Sequence, residues 1–163
     1  MRLTNAIIPN TVTLICGSPG ASKSLMMLQL LAFWLEIGVK ACVYELEEDK
    51  TFHLMRALAQ TANCAGLTDP GWISENPEHA RDLCTAHGEF IERLSRCIWS
   101  SPDTQLTYEQ LIQWAEDRAK ANYRVICIDP ITAAAQTGKP WVEDNHFMQS
   151  AKKIATDYKC SIS

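Results

Sequence analysis

Gly17, Ser18, Pro19, Gly20, Ala21, Ser22, Lys23 and Ser24 constrain the fold of this chain more than any other part of it. The β-branched, apolar residues 11–16 lead into this run and read as a buried strand. The Leu-, Met- and Ala-rich residues 23–37 lead out of it and read as a helix that Gly38 stops. A strand that turns tightly into a helix N-terminus aims backbone N–H groups at one point, where the helix dipole adds partial positive charge. Such a point binds phosphate.

The spacing follows GxxxxGK[ST], in which the lysine reaches the β- and γ-phosphates and the hydroxyl ligates Mg²⁺. Lys23 and Ser24 take those places, and residues 17–24 together are the expected cradle for a nucleoside triphosphate, ATP by default, with Mg²⁺. Ser22 departs from the pattern, because glycine is expected before the lysine. Its side chain either crowds the phosphates or donates one more hydrogen bond to them.

The rest of the chain alternates strand and helix. Strands are expected at 41–46, 97–99 and 124–129, with another beginning at 160–163. Helices are expected at 51–62, with Asp49 or Thr51 as cap, then at 78–94, at 108–121 after a Thr107 cap, and at 143–158. Residues 66–77 read as turns and 130–141 as a loop. This order implies an α/β three-layer sandwich around a mainly parallel sheet covered on both faces. Residues 1–163 form one domain in this reading, a core that lacks its last strands.

Two acidic positions extend the site. Val125-Ile126-Cys127-Ile128-Asp129 is an apolar strand ending in a carboxylate, where ligands bind in open parallel sheets. An aspartate there holds Mg²⁺ opposite the hydroxyl of Ser24. Tyr44-Glu45-Leu46-Glu47-Glu48-Asp49 ends the second strand in a cluster of acids. One of them can orient or deprotonate the attacking water. Glu47 is the first candidate for that base and Glu45 the second, with Glu48 and Asp49 left to favour the next helix's N-terminus.

Composition excludes several classes. The net charge of −4 and pI near 5.5 leave no global basic footprint, so contact with nucleic acid needs a local patch or a ring of subunits. No signal peptide or membrane span is visible, which places the chain in the cytoplasm. The cysteines at 16, 42, 64, 84, 97, 127 and 160 have no CxxC spacing and read as reduced thiols. Those in apolar runs, Cys16 and Cys127 among them, read as small buried hydrophobes. The tryptophans Trp34, Trp72, Trp99, Trp114 and Trp141 read as packing anchors, the pair Met26-Met27 as core, and the four histidines show no ligand spacing.

Loop 17–24, the segment Leu46-Glu47-Glu48 with Met55-Arg56 after it, and Ile126-Cys127-Ile128-Asp129 occur in an order that resembles the RecA-like ATPase core of DnaB-like replicative helicases and their KaiC-type relatives. The resemblance implies an ATP-hydrolysing P-loop motor with Glu47 as catalytic base and Asp129 as the strand-end acid. It also implies a homo-hexameric ring acting on single-stranded DNA in replication or recombination, of a kind carried by phages or mobile elements. Residues 130–141 would lie where such motors contact DNA, and a γ-phosphate sensor and an arginine finger would follow Ser163. A regulatory or loader ATPase that binds protein partners is the alternative. A small-molecule kinase is disfavoured, because Arg81, Arg93, Arg96, Arg118 and Arg124 are scattered rather than gathered in a lid.

Overall fold

The computed structural model describes residues 7–18, 20–101, 104–135 and 138–163. Five parallel strands form one sheet: β1 (Thr11–Val12), β2 (Ala41–Glu45), β3 (Ile98–Ser100), β4 (Val125–Asp129) and β5 (Ser161–Ile162), in the order β1-β5-β4-β2-β3. The helices are α1 (Lys23–Glu36), α2 (Lys50–Thr61), α3 (Pro70–Glu75), α4 (Pro77–Ala86), α5 (Gly88–Ser95), α6 (Tyr108–Lys120) and α7 (Pro140–Tyr158).

Strand alternation sorts the core into two halves. Cys42, Tyr44, Ile126 and Ile128 face one way and pack with Leu111 and Ala115 of α6 and Phe147 and Ala151 of α7. Ala41, Val43, Val125 and Cys127 face the other way and pack with Leu28 and Leu31 of α1, Ala57 of α2 and Leu94 of α5. The expected three-layer α/β sandwich is therefore present, with the sheet as its middle layer. A smaller apolar cluster joins α2 to α4 through Leu58, Leu67 and Ala80. No helix among the described residues is long and apolar enough to cross a membrane.

Four boundaries stand apart from the sequence expectation. Residues 66–77 hold a 3-10 turn (Ala65–Thr68) and then α3, because Asp69 accepts a hydrogen bond from the Gly71 N–H at 2.8 Å and Pro70 suits the first helical position. The Trp72 ring lies directly over Gly66, where a Cβ would come within 2.3 Å of it. The single helix expected over 78–94 is two, α4 and α5, broken at His87 before Gly88. The last helix begins at Pro140 rather than at Glu143, again with proline in its first turn. The ladder of β1 is shorter than the apolar run 11–16, reaching only the Thr13 N–H bond to the Ile162 carbonyl at 2.9 Å.

Helix α6 starts as expected, with Thr107 and Gln110 forming a reciprocal capping box. Its Leu111 side chain is fully buried against the sheet. Leu111→Ala is expected to destabilise the chain by about 2–5 kcal/mol, against about 1 kcal/mol for Thr107→Ala. Urea titration of both variants checks the ranking, and equal losses would contradict this packing.

Candidate active site

The phosphate loop is shaped by two residues with positive φ. Gly20 sits at φ 78°, and Ser22 at φ 57°, ψ 31°, in the left-handed region. The second value explains why glycine is expected at position 22. A serine there costs about 1–2 kcal/mol of backbone strain. Gly17 is tightly placed for a different reason, since a Cβ on it would lie 3.2 Å from the Ala21 Cβ.

Ser22 is also the N-cap of α1, yet its side chain makes no cap bond and no acid lies in the first turn. By contrast α2 is capped by Asp49, which accepts from the Phe52 N–H at 2.7 Å. The first-turn N–H groups of α1 are thus left to an anionic ligand. Lys23 curls back over the loop and its Nζ donates to the carbonyls of Gly17 at 3.1 Å and Ser18 at 3.2 Å.

A cleft of about 650 Å³ opens at this loop. Gly17, Gly20, Ala21, Ser22, Lys23 and Ser24 form one wall, and Glu47, Arg56 and Asp129 join them from α2, the loop before it and the end of β4. Ser18 contributes its carbonyl to Lys23 and is not in the cleft wall. Pro19 lies outside the described residues. Ser163, just past β5, also lines the cleft, because β5 runs between β1 and β4.

The structure separates the two candidate bases. Glu47 stands beyond the strand, exposed and in the cleft. Glu45 is still inside β2, paired in register with Asp129, and is 2% exposed. It faces α2, with its Oε2 3.4 Å from Nε2 of the equally buried His53. The two groups touch at that distance without the geometry of a hydrogen bond, and among the described residues Nε2 has no hydrogen-bond partner. Burial, and then the nearby Asp129, push the Glu45 carboxyl up to about 8. Burial likewise lowers His53 below its ordinary value. A carboxyl so enclosed is poorly placed to meet water at a phosphate.

Arg56 has no role that its sequence context predicts. It is half-buried on α2, and its guanidinium lies 4.9 Å from the centre of the Phe52 ring. Only the folding of α2 back along the sheet brings it into the cleft that Glu47 also lines.

Ser24 and Asp129 offer hard oxygen donors, the set that suits Mg²⁺. Among the described residues buried Asp129 Oδ2 has no hydrogen-bond partner, so it retains the lone pairs that a bound cation or its water would use. The residues present therefore fit the ion.

Beyond Asp129, residues 131–133 form a 3-10 turn, and Gly138, Lys139 and Trp141 are exposed. Gln136 and Thr137, also expected in this loop, lie outside the described residues. Trp141 is 70% exposed and is no packing anchor, because it falls on the outer side of the first turn of α7. Trp99 and Trp114 do pack, with ring centres 5.8 Å apart. Cys16 is likewise exposed rather than buried, since the strand ladder ends before it, and Met26 is only half-buried.

Ser22→Gly is expected to raise stability by about 0.5–1 kcal/mol, the relief of strain less the entropy glycine adds to the unfolded chain. Thermal melts of the two chains test this; a lower melting temperature would mean that the Ser22 side chain holds the loop.

The folded chain keeps a proton on Glu45 up to about pH 8, whereas an unfolded glutamate releases it near 4.5. Stability from this group therefore falls as pH rises through that window. His53 acts in the opposite sense only below its ordinary 6.5, where the unfolded imidazole binds the proton first. Melting temperature should accordingly drop between pH 6.5 and 8, and Glu45→Gln should remove the drop; an identical drop in the variant would contradict the assignment.

A family model described as an AAA domain matches residues 2–162, nearly the whole chain. No curated protein matches it. With a glycine-bearing phosphate loop, a strand-end aspartate and a cleft between them, the chain belongs to the AAA domain family, as a P-loop ATPase.

Proposed function

We propose that the chain binds ATP with Mg²⁺ on residues 17–24, hydrolyses it with Glu47 as base, and couples turnover to movement on single-stranded DNA as one subunit of a hexameric ring. The observation that carries the ATPase half is the meeting of Lys23, Ser24, Glu47 and Asp129, from separate elements, in one cleft. Lys23 exchanges the carbonyls of Gly17 and Ser18 for the β- and γ-phosphate oxygens. Ser24 and Asp129 would hold Mg²⁺, which would supply charge neutralisation for the triphosphate. Glu47 orients the attacking water and accepts its proton, then returns it to solvent, to which it is open.

The DNA half is supported by two exposed side chains. Lys139 and Trp141 project from the segment that follows Asp129, pairing a cation for phosphate with an aromatic face for a base. The net charge of −4 favours instead a regulatory or loader ATPase that acts on protein partners.

ATP turnover with and without single-stranded DNA separates these readings. Lys23→Ala is expected to weaken nucleotide binding, and Glu47→Gln to bind normally while losing about 100-fold or more in kcat. DNA should stimulate the wild type with a steep salt dependence. Trp141→Ala should weaken that DNA response by about 1–3 kcal/mol while basal turnover stays intact. Turnover indifferent to DNA would transfer the assignment to the loader reading, and a chain that binds no nucleotide would end both.

A further inference from the structure

The Glu45–His53 pair has no part in the chemistry above, and it is an expensive thing to build. A carboxyl and an imidazole, each 2% exposed, lie 3.4 Å apart on the α2 side of the sheet. Glu45 Oε1 and His53 Nδ1 have no hydrogen-bond partner among the described residues. Replacing such a pair by apolar side chains of similar volume is often neutral or stabilising, so stability does not account for it. Buried ionisable groups beside a cleft are more often found at working sites.

Its position suggests the work. Glu45 ends β2 and His53 lies in the first turn of α2, so their contact closes the loop 46–49 that carries Glu47. The contact continues outward. The Phe52 ring meets the His53 ring edge to face, with centres 5.5 Å apart, and Arg56 lies over the Phe52 ring. Arg56 and Glu47 both line the cleft. At the other end, Glu45 is the register partner of Asp129, and the Leu46 N–H donates to the Asp129 carbonyl at 2.9 Å. The row runs from Asp129 through Glu45, His53 and Phe52 to Arg56.

We infer that the buried Glu45–His53 contact is a positioning device, tying β2 to α2 and setting where Glu47 and Arg56 stand relative to Asp129. Neither residue is in the cleft wall. Their effect on turnover rests on the ATPase reading above, whereas their effect on the loop does not.

The test compares the full chain with Glu45→Gln, His53→Gln, the combined Gln variant, and a double Glu45→Leu/His53→Leu variant that keeps the core filled. Each is measured for melting temperature, for affinity toward a fluorescent ATP analogue with Mg²⁺, for kcat, and for amide hydrogen exchange over residues 46–56. The variants should fold, with the Leu pair at least as stable as wild type. Affinity should stay within about 3-fold while kcat falls about 10- to 100-fold, the usual cost of a displaced catalytic group. The two single losses should not multiply in the combined Gln variant. Exchange over 46–56 should quicken in every variant without ligand. Unchanged exchange, single losses that multiply, or full turnover by the Leu pair would overturn the inference. If the wild type itself does not hydrolyse ATP, the proposed function fails, and the exchange result alone decides the positioning role.

Discussion

The pairing of β2 with β4 is the constraint on which the site depends. The two strands run in register from Ala41 and Val125 to Glu45 and Asp129, so both end at one level at the same edge of the sheet. A slip of one residue would turn every side chain to the opposite layer. Asp129 would then leave the cleft, and Val43 and Cys127 would leave the core beneath α1. The apolar alternation that makes the sheet stable is thus also what aims the acids.

The fold was readable because its signals are local. Short β-branched runs, a helix stop at Gly38 and a cap at Thr107 each act within a few residues. What escaped was also local, but of weaker chemistry. Asp69-Pro70-Gly71 serves equally as a turn or as the start of a short helix, and the packing of Trp72 on Gly66 adds a non-local contact that favours the helix. The outer side of α7's first turn shows no apolar period, so its true start at Pro140 was hidden.

The site was legible in part for a related reason. Lys23, Ser24 and Asp129 are fixed by the neighbours that precede and follow them. The choice between Glu45 and Glu47 is not, because both stand in an acidic stretch where the strand's last residue is uncertain. One residue of strand length decides which is enclosed and which is open. Arg56 and His53 could not be found this way, because a lone cation or imidazole on a helix says nothing of what the helix will meet.

Lys23 shows a last economy. A free lysine side chain loses about 1.5–2 kcal/mol of rotamer freedom when a ligand fixes it. Here the ammonium is already held by the Gly17 and Ser18 carbonyls, inside the same loop that would receive a phosphate. Much of the ordering that a bound anion would require has therefore been done by folding. The loop is closer to a loaded spring catch than to an open hand.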